Sequence, residues 1–263
     1  MGSWEFAAAG PIAMDIELPA GSINVAARPV AAVTVSLRAS GKGGEKLLAE
    51  TEVSFENETL RVHVPTRSMI RGHASLDLDV EVPEGSSARF SAASADVTLE
   101  GQFGPLRGKT ASGDIKADQA RDADLSTASG DVKLEEAAED VRVNSASGDV
   151  RIGKAGGDVI TKTASGDVWV GQAGQSVTAK TASGDVRVDS IAAGLADAAT
   201  VSGDVTIAVV PGTGVYLDIS TLSGDVSSDL ESTASAGAEG DAALTVSCRT
   251  VSGDIRLLRA STR

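Results

Sequence analysis

Aromatic side chains are scarce in this chain: Phe, Tyr and Trp together make up 3% of its 263 residues. A core that relies on large rings for buried area is excluded, so the interior must be assembled from Val, Ile, Leu, Ala and Thr. Cysteine is nearly missing. The lone Cys248 rules out an intrachain disulfide, and its alternating setting, Leu244-Thr245-Val246-Ser247-Cys248, marks a small buried residue rather than a nucleophile. Only two histidines occur, His63 and His73, and without a cysteine cluster they form no zinc pattern. Basic runs are missing as well. Lys and Arg number 23 against 37 Asp and Glu, a net charge of −14, which argues against a nucleic-acid partner. No stretch approaches the ~20 apolar residues of a membrane span. The opening MGSWEFAAAGPIAMDIELPAG has neither the basic start nor the apolar core of a signal peptide. The expectation is a cytoplasmic protein without membrane insertion, the cell surface being the alternative if an export signal precedes these residues.

What the chain has in abundance is a repeat. Ser-Gly-Asp begins at Ser112, Ser129, Ser147, Ser165, Ser183, Ser202, Ser223 and Ser252, and a degenerate copy starts at Ser94. The steps are 18, 17, 18, 18, 18, 19, 21 and 29 residues, nearly strict in the middle and expanded at the end. Each unit divides in two: Gly148-Asp149-Val150, Gly157-Asp158-Val159 and Gly166-Asp167-Val168 lie nine apart. After each Asp the pattern alternates, as in Val150-Arg151-Ile152 and Val186-Arg187-Val188, which is the signature of a strand with one buried face. Runs such as Val141-Arg142-Val143 and Leu217-Asp218-Ile219 supply a second strand. A nine-residue half cannot bury its apolar edge alone, but stacking in parallel on the equivalent half one rung away does so. The expectation is an all-β fold: a single-stranded parallel β-helix, or β-solenoid, of about nine 18-residue rungs. The expanded steps place surface loops near Ala192–Ala199, Pro211–Gly214 and Ser232–Asp241.

Stacking puts Asp114, Asp131, Asp149, Asp167, Asp185, Asp204, Asp225 and Asp254 at one corner, as structural turn residues. Like charges about 5 Å apart repel by roughly 1 kcal/mol per pair in water. Two features offset that cost: turn carboxylates accept backbone N–H hydrogen bonds, and a basic file, Lys116, Lys133, Arg151, Arg187 and Arg256, follows two residues later. Calcium is the functional alternative. The repeats-in-toxin nonapeptide needs Gly-Gly-x-Gly-x-Asp, whereas here Gly and Asp are adjacent and the Gly pair is mostly missing. No metal or cofactor is expected.

Residues 1–90 lack the repeat mark but alternate like strands, for example Val33-Thr34-Val35-Ser36-Leu37 and Leu76-Asp77-Leu78-Asp79-Val80. They read as an irregular β-rich N-terminal cap, continuous with the solenoid of residues 91–263, that covers the first rung. The tail Arg256–Arg263 and the loop Glu231–Asp241 would cover the other end.

No residue pattern points to catalysis. There is no nucleophile elbow and no Walker loop, since Gly101 and Gly108-Lys109-Thr110 are too widely spaced. A carbohydrate-active site would add aromatic clefts, which Trp4, Trp169 and Tyr216 do not form. Trp169 stands in an outward file otherwise holding Lys, Arg, Thr and Ser, and is the candidate surface-contact residue.

The unit Ala-Ser-Gly-Asp-Val-x-Val, carried by Thr110–Ile115, Thr127–Val132, Ser145–Val150, Thr163–Val168, Thr181–Val186, Thr200–Val205, Thr221–Val226 and Thr250–Ile255, closely resembles the bacterial putative-adhesin β-helix domain family, a family of unknown function. The opening Met14–Val25 is also similar to that family's start. The resemblance implies a parallel β-helix and a non-enzymatic role. Together these readings favour a rigid scaffold or protein-interaction module, acting on an unknown protein partner or by self-association through solenoid ends or faces. An exported cell-surface adhesin is the alternative, and a calcium-binding or carbohydrate-active β-helix a more remote one.

Overall fold

The computed structural model describes residues 1–64, 74–230 and 243–261. Two compact units, Met1–Lys133 and Leu134–Arg263, divide the chain.

In the first unit, β1 (Gly2–Ala7), β2 (Ala13–Arg28), β3 (Ala32–Ser40), β4 (Glu52–Glu56), β5 (Thr59–His63), β6 (Ser75–Pro83), β7 (Ser87–Phe103), β8 (Leu106–Lys109), β9 (Ile115–Ala120) and β10 (Ala123–Ser126) accompany one short helix, α1 (Gly44–Glu50). Strands β2 and β7 each turn the corner without losing strand geometry. They pair in parallel from Ala13↔Ser87 to Ala26↔Glu100. At the β2 corner Gly21 adopts φ 124°, and a Cβ there would lie 1.9 Å from the Leu76 carbonyl oxygen. Only glycine lets the two backbones approach so closely.

The outer end of this unit is closed by a change of strand direction. Parallel β6 is followed by antiparallel β3 and then by antiparallel β1. On the other face parallel β5 is followed by antiparallel β4. Where β1 meets β4, Phe6 stacks on Phe55 with ring centroids 5.2 Å apart. Leu47 of α1 is also buried. Val35, Leu37, Leu78 and Val80 are consequently all buried, at 4% exposure or less.

In the second unit, after β11 (Val132–Ala137), come β12 (Val141–Asn144), β13 (Val150–Ala155), β14 (Val159–Lys162), β15 (Val168–Ala173), β16 (Val177–Lys180), β17 (Val186–Ile191), β18 (Gly194–Ala199), β19 (Val205–Val209), β20 (Val215–Ser223), β21 (Val226–Ser228), β22 (Leu244–Ser252) and β23 (Ile255–Arg259). One parallel face runs β13–β15–β17–β19–β23–β21. The other runs β12–β14–β16–β18–β22–β20. This is the parallel β-helix read from the repeat, two strands to a turn. The inward positions carry the alternating apolar residues: Val150, Val168, Val186, Val205 and Ile255 form one file, each 1% exposed or less. Thr161, Ala179, Ala198 and Cys248 occupy another, each at 1% or less. Small side chains are what so narrow an interior accepts.

The structure departs from the sequence reading in two places. Residues 194–199 are not a loop but β18, in register with β16 from Val177↔Ala196. The extra residue of that step is absorbed between Ile191 and Ala196, where Gly194, the first residue of β18, takes φ 85°. The second departure is the order of the last rungs. The final segment, β22 and β23, lies between β18–β19 and β20–β21, so the tail does not cover the end but forms an interior rung. On the β23 face burial favours this order: Ile255 and Leu257 stand inward where β21 has Val226 and Ser228, and placing them inside removes more hydrocarbon from water. On the other face β20 sets Leu217 and Ile219 beside Val246 and Cys248. The proposed loop Ser232–Asp241, the cap segment Glu231–Asp241 and His73 fall outside the described residues. Pro211–Gly214 is a turn leading into β20.

Candidate functional site

The Ser-Gly-Asp corner is built from three columns of side chains. The Asp carboxylates accept hydrogen bonds along the stack. The backbone N–H of Asp167 donates to Asp149 Oδ1 (2.9 Å), that of Asp185 to Asp167 (2.8 Å) and that of Asp204 to Asp185 (2.8 Å). Asp254 then donates to Asp204 (2.9 Å) and Asp225 to Asp254 (3.0 Å), following the spatial order rather than the chain order. In the first unit Asp114 donates to Asp96 and Asp131 to Asp114, both at 3.0 Å. The carboxylates of Asp96, Asp114, Asp149, Asp167, Asp185, Asp204 and Asp254 are thus splints between rungs. The Asp254 N–H, aided by Arg256, holds the Asp204 carboxyl below the usual carboxylate range against a smaller opposing effect of burial. Arg256 bridges Asp204 and Asp254 at 3.0 and 2.8 Å, whereas Arg187 turns to Asp189 at 2.6 Å.

Glycine forms the second column. A Cβ on Gly203 would lie 2.1 Å from the Gly184 carbonyl oxygen, and one on Gly253 would lie 2.0 Å from that of Gly203. Buried threonine, whose contacts the sequence pattern did not disclose, forms the third. Thr200 Oγ1 donates to the Gly184 carbonyl (3.1 Å) and Thr250 Oγ1 to that of Gly203 (3.2 Å). The repeated Thr three residues before Gly is the signal that could have revealed it. An opposite corner repeats the splint: Asp158 N–H donates to Asp140 Oδ1 and Ser176 N–H to Asp158 Oδ1.

The donor set at these corners fits poorly with a hard cation, because an oxygen of most of these carboxylates already accepts a backbone N–H. Among the described residues no group of three or more His, Cys, Asp or Glu is placed to hold a metal ion. His63 lies in β5 with Nδ1 at 2.7 Å from Glu17 of neighbouring β2. Burial pushes the Cys248 thiol up to about 12, with Asp197 and Asp218 adding to the effect, so it carries negligible thiolate at neutral pH. Gly108 lies under the Phe90 ring, which leaves no space for a phosphate cradle there. One depression, about 290 Å³ in volume, lies in the first unit against β2, β3, β6 and β7, lined by Asn24, Thr34, Ser36, Asp79, Glu81 and Glu100 among others. It has no aromatic wall. Among the described residues no helix is long and apolar enough to cross a membrane.

Trp169 is more firmly held than an isolated surface ring. It is half-buried, and its Nε1–H donates to Asp189 Oδ2 at 2.8 Å. Gly171 gives the ring room: a Cβ there would come within 3.2 Å of Trp169 Cη2. The strand register sets Trp169 between Arg151 and Arg187, with Thr206, Arg256 and Ser227 continuing the file.

With this geometry in view, the sequence pattern of one family, Toastrack DUF4097, matches residues 13–258. The chain belongs to that family. Its extent runs from β2 into β23, so antiparallel β3 and β4 and the Ser-Gly-Asp rungs lie within the Toastrack match, and β1 precedes it. No curated protein matches the sequence. Among solved structures, a "putative adhesin" from Bacteroides fragilis is 13% identical, with 97% of this chain and 96% of that one covered and a TM-score of 0.51. A "putative adhesin" from Parabacteroides distasonis is 11% identical, with 98% and 96% covered and a TM-score of 0.51. At such identities the likeness is one of fold. Toastrack DUF4097 is a domain of unknown function, and neither the match nor the geometry points to a reaction.

Proposed function

We propose that this Toastrack protein is a non-catalytic scaffold that binds another protein through the flat face formed by β13, β15, β17, β19 and β23. The observation that carries the reading is the outward file Arg151–Trp169–Arg187–Thr206–Arg256, locked in register at the ~4.8 Å strand spacing. It places an anchored aromatic between two guanidinium groups, on a molecule whose overall charge is −14. Trp and Arg are the residues that most often carry binding energy at protein interfaces. A rigid sheet holds them at little further cost in conformational freedom. The partner chemistry that fits is an extended polypeptide segment with carboxylates flanking an apolar side chain.

The test is affinity capture from the native cell with wild type, Trp169→Ala and Arg151→Glu/Arg187→Glu side by side, followed by binding of the recovered protein in purified form. A partner whose recovery falls at least tenfold in both variants, with the melting temperature of each variant near wild type, supports the face. Equal recovery by all three forms overturns it. Adhesion at the cell surface is the second reading. It draws on the names given to the Bacteroides fragilis and Parabacteroides distasonis proteins, and protection or cleavage of the protein by protease added to intact cells discriminates it from an internal scaffold.

A further inference from the structure

The two outer ends of the stacked strands differ. In the first unit the last parallel strands are covered by antiparallel β3 and β4, and the core beneath is shut. In the second unit, among the described residues, β20 pairs only with β22 and β21 only with β23. Among the described residues no strand pairs with their outer edges, which run over nine and three residues. Among the described residues no further rung covers the apolar interior there. Leu217 is 40% exposed and Val226 51%, whereas their register partners one rung inward, Val246 and Ile255, are both at 0%. Leu222, on the outer face of β20, is 83% exposed.

We infer that this end is the dimerisation surface of the protein, and that a second copy covers it head to head. The chain itself shows how such an end is closed. Antiparallel β3 seals parallel β6 by setting Val35 opposite Val80 and Leu37 opposite Leu78. Strand β20 can receive the same treatment from its own copy. In an antiparallel pairing centred on Ile219, Leu217 meets Thr221 of the second copy on the inward side, and Tyr216 meets Leu222 on the outward side. Asp218 meets Ser220, so no carboxylate opposes its like. A two-fold axis through Ile219, normal to the sheet, keeps the interiors of both copies on the same side and lets β21 pair with β21. That axis also exchanges the corners. Asp225, the last carboxylate of the ladder, then lies across from the opposite corner of the second copy rather than from another Asp225.

Size agrees with this occupant. A nine-residue strand is about 30 Å long, and two sheets lie about 10 Å apart, so the end face, side chains included, measures roughly 30 by 15 Å. Two such faces bury on the order of 900 Å², which places the pair among weak, reversible dimers rather than obligate ones. Head-to-head closure leaves no further open end of this kind on either copy, so association stops at two. Unlike the Trp169 reading, this inference concerns the β20–β21 end alone, and the two stand or fall separately.

Sedimentation velocity of the full chain over a concentration series is the first measurement. The expected result is a reversible shift from 26.4 kDa to twice that mass, with half-dimerisation at micromolar concentration. Leu222→Asp, at a site too exposed to matter for folding, should weaken the dimer at least tenfold and leave the melting temperature at low concentration unchanged. With Cys248, the register partner of Ile219 within one copy, replaced by Ala, Ile219→Cys should form a disulfide-linked dimer under air oxidation, while the exposed mid-stack control Arg151→Cys in the same background should not. A protein that stays at 26.4 kDa up to about 200 µM overturns the inference. So does a dimer that is indifferent to Leu222→Asp and is not trapped by Ile219→Cys.

Discussion

Glycine, aspartate and threonine share most Ser-Gly-Asp corners, with Ser145 in place of threonine at one, because each performs a task the other two cannot. Gly203 adopts φ 151° with the Gly184 carbonyl stacked against its α-carbon, so it is needed for space as well as for backbone conformation. Gly203→Ala should destabilise the fold by about 3 kcal/mol, read as a drop in urea midpoint. Gly212 separates the two causes. It has φ 88° but nothing within 4 Å of a Cβ, and Gly212→Ala should cost only the backbone strain, about 1 kcal/mol. Thr161 tests the reverse case. Its hydroxyl is buried at an inward position without a hydrogen-bond partner, among Val and Ala neighbours in the file. Thr161→Val removes an unpaid desolvation at constant shape and should raise the unfolding free energy by about 1 kcal/mol.

At the scale of the element, strands this short have little stability of their own, and the splints between rungs hold their register. The repeat spacing shows that Asp residues stack. It does not show which atoms they engage, because a turn Asp can equally accept an N–H of its own turn. The bond to the next rung emerges only when parallel strands bring the N–H of Asp254 to Asp204 across 50 positions of sequence. Since Asp204 is held below the ordinary carboxylate value of about 3.9, its folded form binds a proton less readily than the unfolded chain. That contribution is complete above about pH 4 and is lost as pH falls through the lower folded value. Asp204→Asn keeps an acceptor for the Asp254 N–H but removes the charge. Its unfolding midpoint should therefore fall less steeply than wild type between about pH 4 and pH 2. An identical slope in the two proteins would remove Asp204 from the acid response.

At the scale of the whole molecule, the order of the last rungs has consequences that a chain-order stack would not have. Because β22–β23 lies inside and β20–β21 outside, cutting the chain after residue 243 removes an interior rung, not a terminal one. Truncation should abolish amide protection in β20 and β21 as well as in the deleted part, and expose the inward faces of β18 and β19. Hydrogen exchange of the truncated chain reads this directly: protection persisting in 215–228 would mean that β20–β21 can dock on β18–β19 by itself.

The alternating Val-x-Val runs and the Ser-Gly-Asp spacing by themselves determined the strands, the two-fold division of each rung, the parallel stacking and the inward files. These follow from a period of two within strands and of 18 between rungs, and from the lack of large rings to fill any wider core. Trp169 was legible as an outward residue but not as one anchored by Asp189, whose position in the sequence bears no fixed relation to it. Only the tertiary structure decided that β18 is a strand and that the hydroxyls of Thr181, Thr200, Thr221 and Thr250 bridge rungs to glycine carbonyls. It also decided that the final rung slides beneath its predecessor. The last of these rests on competition between segments for the same stacked position, and on the β23 face Ile255 and Leu257 lose more contact with water than Val226 and Ser228 when a further rung covers them.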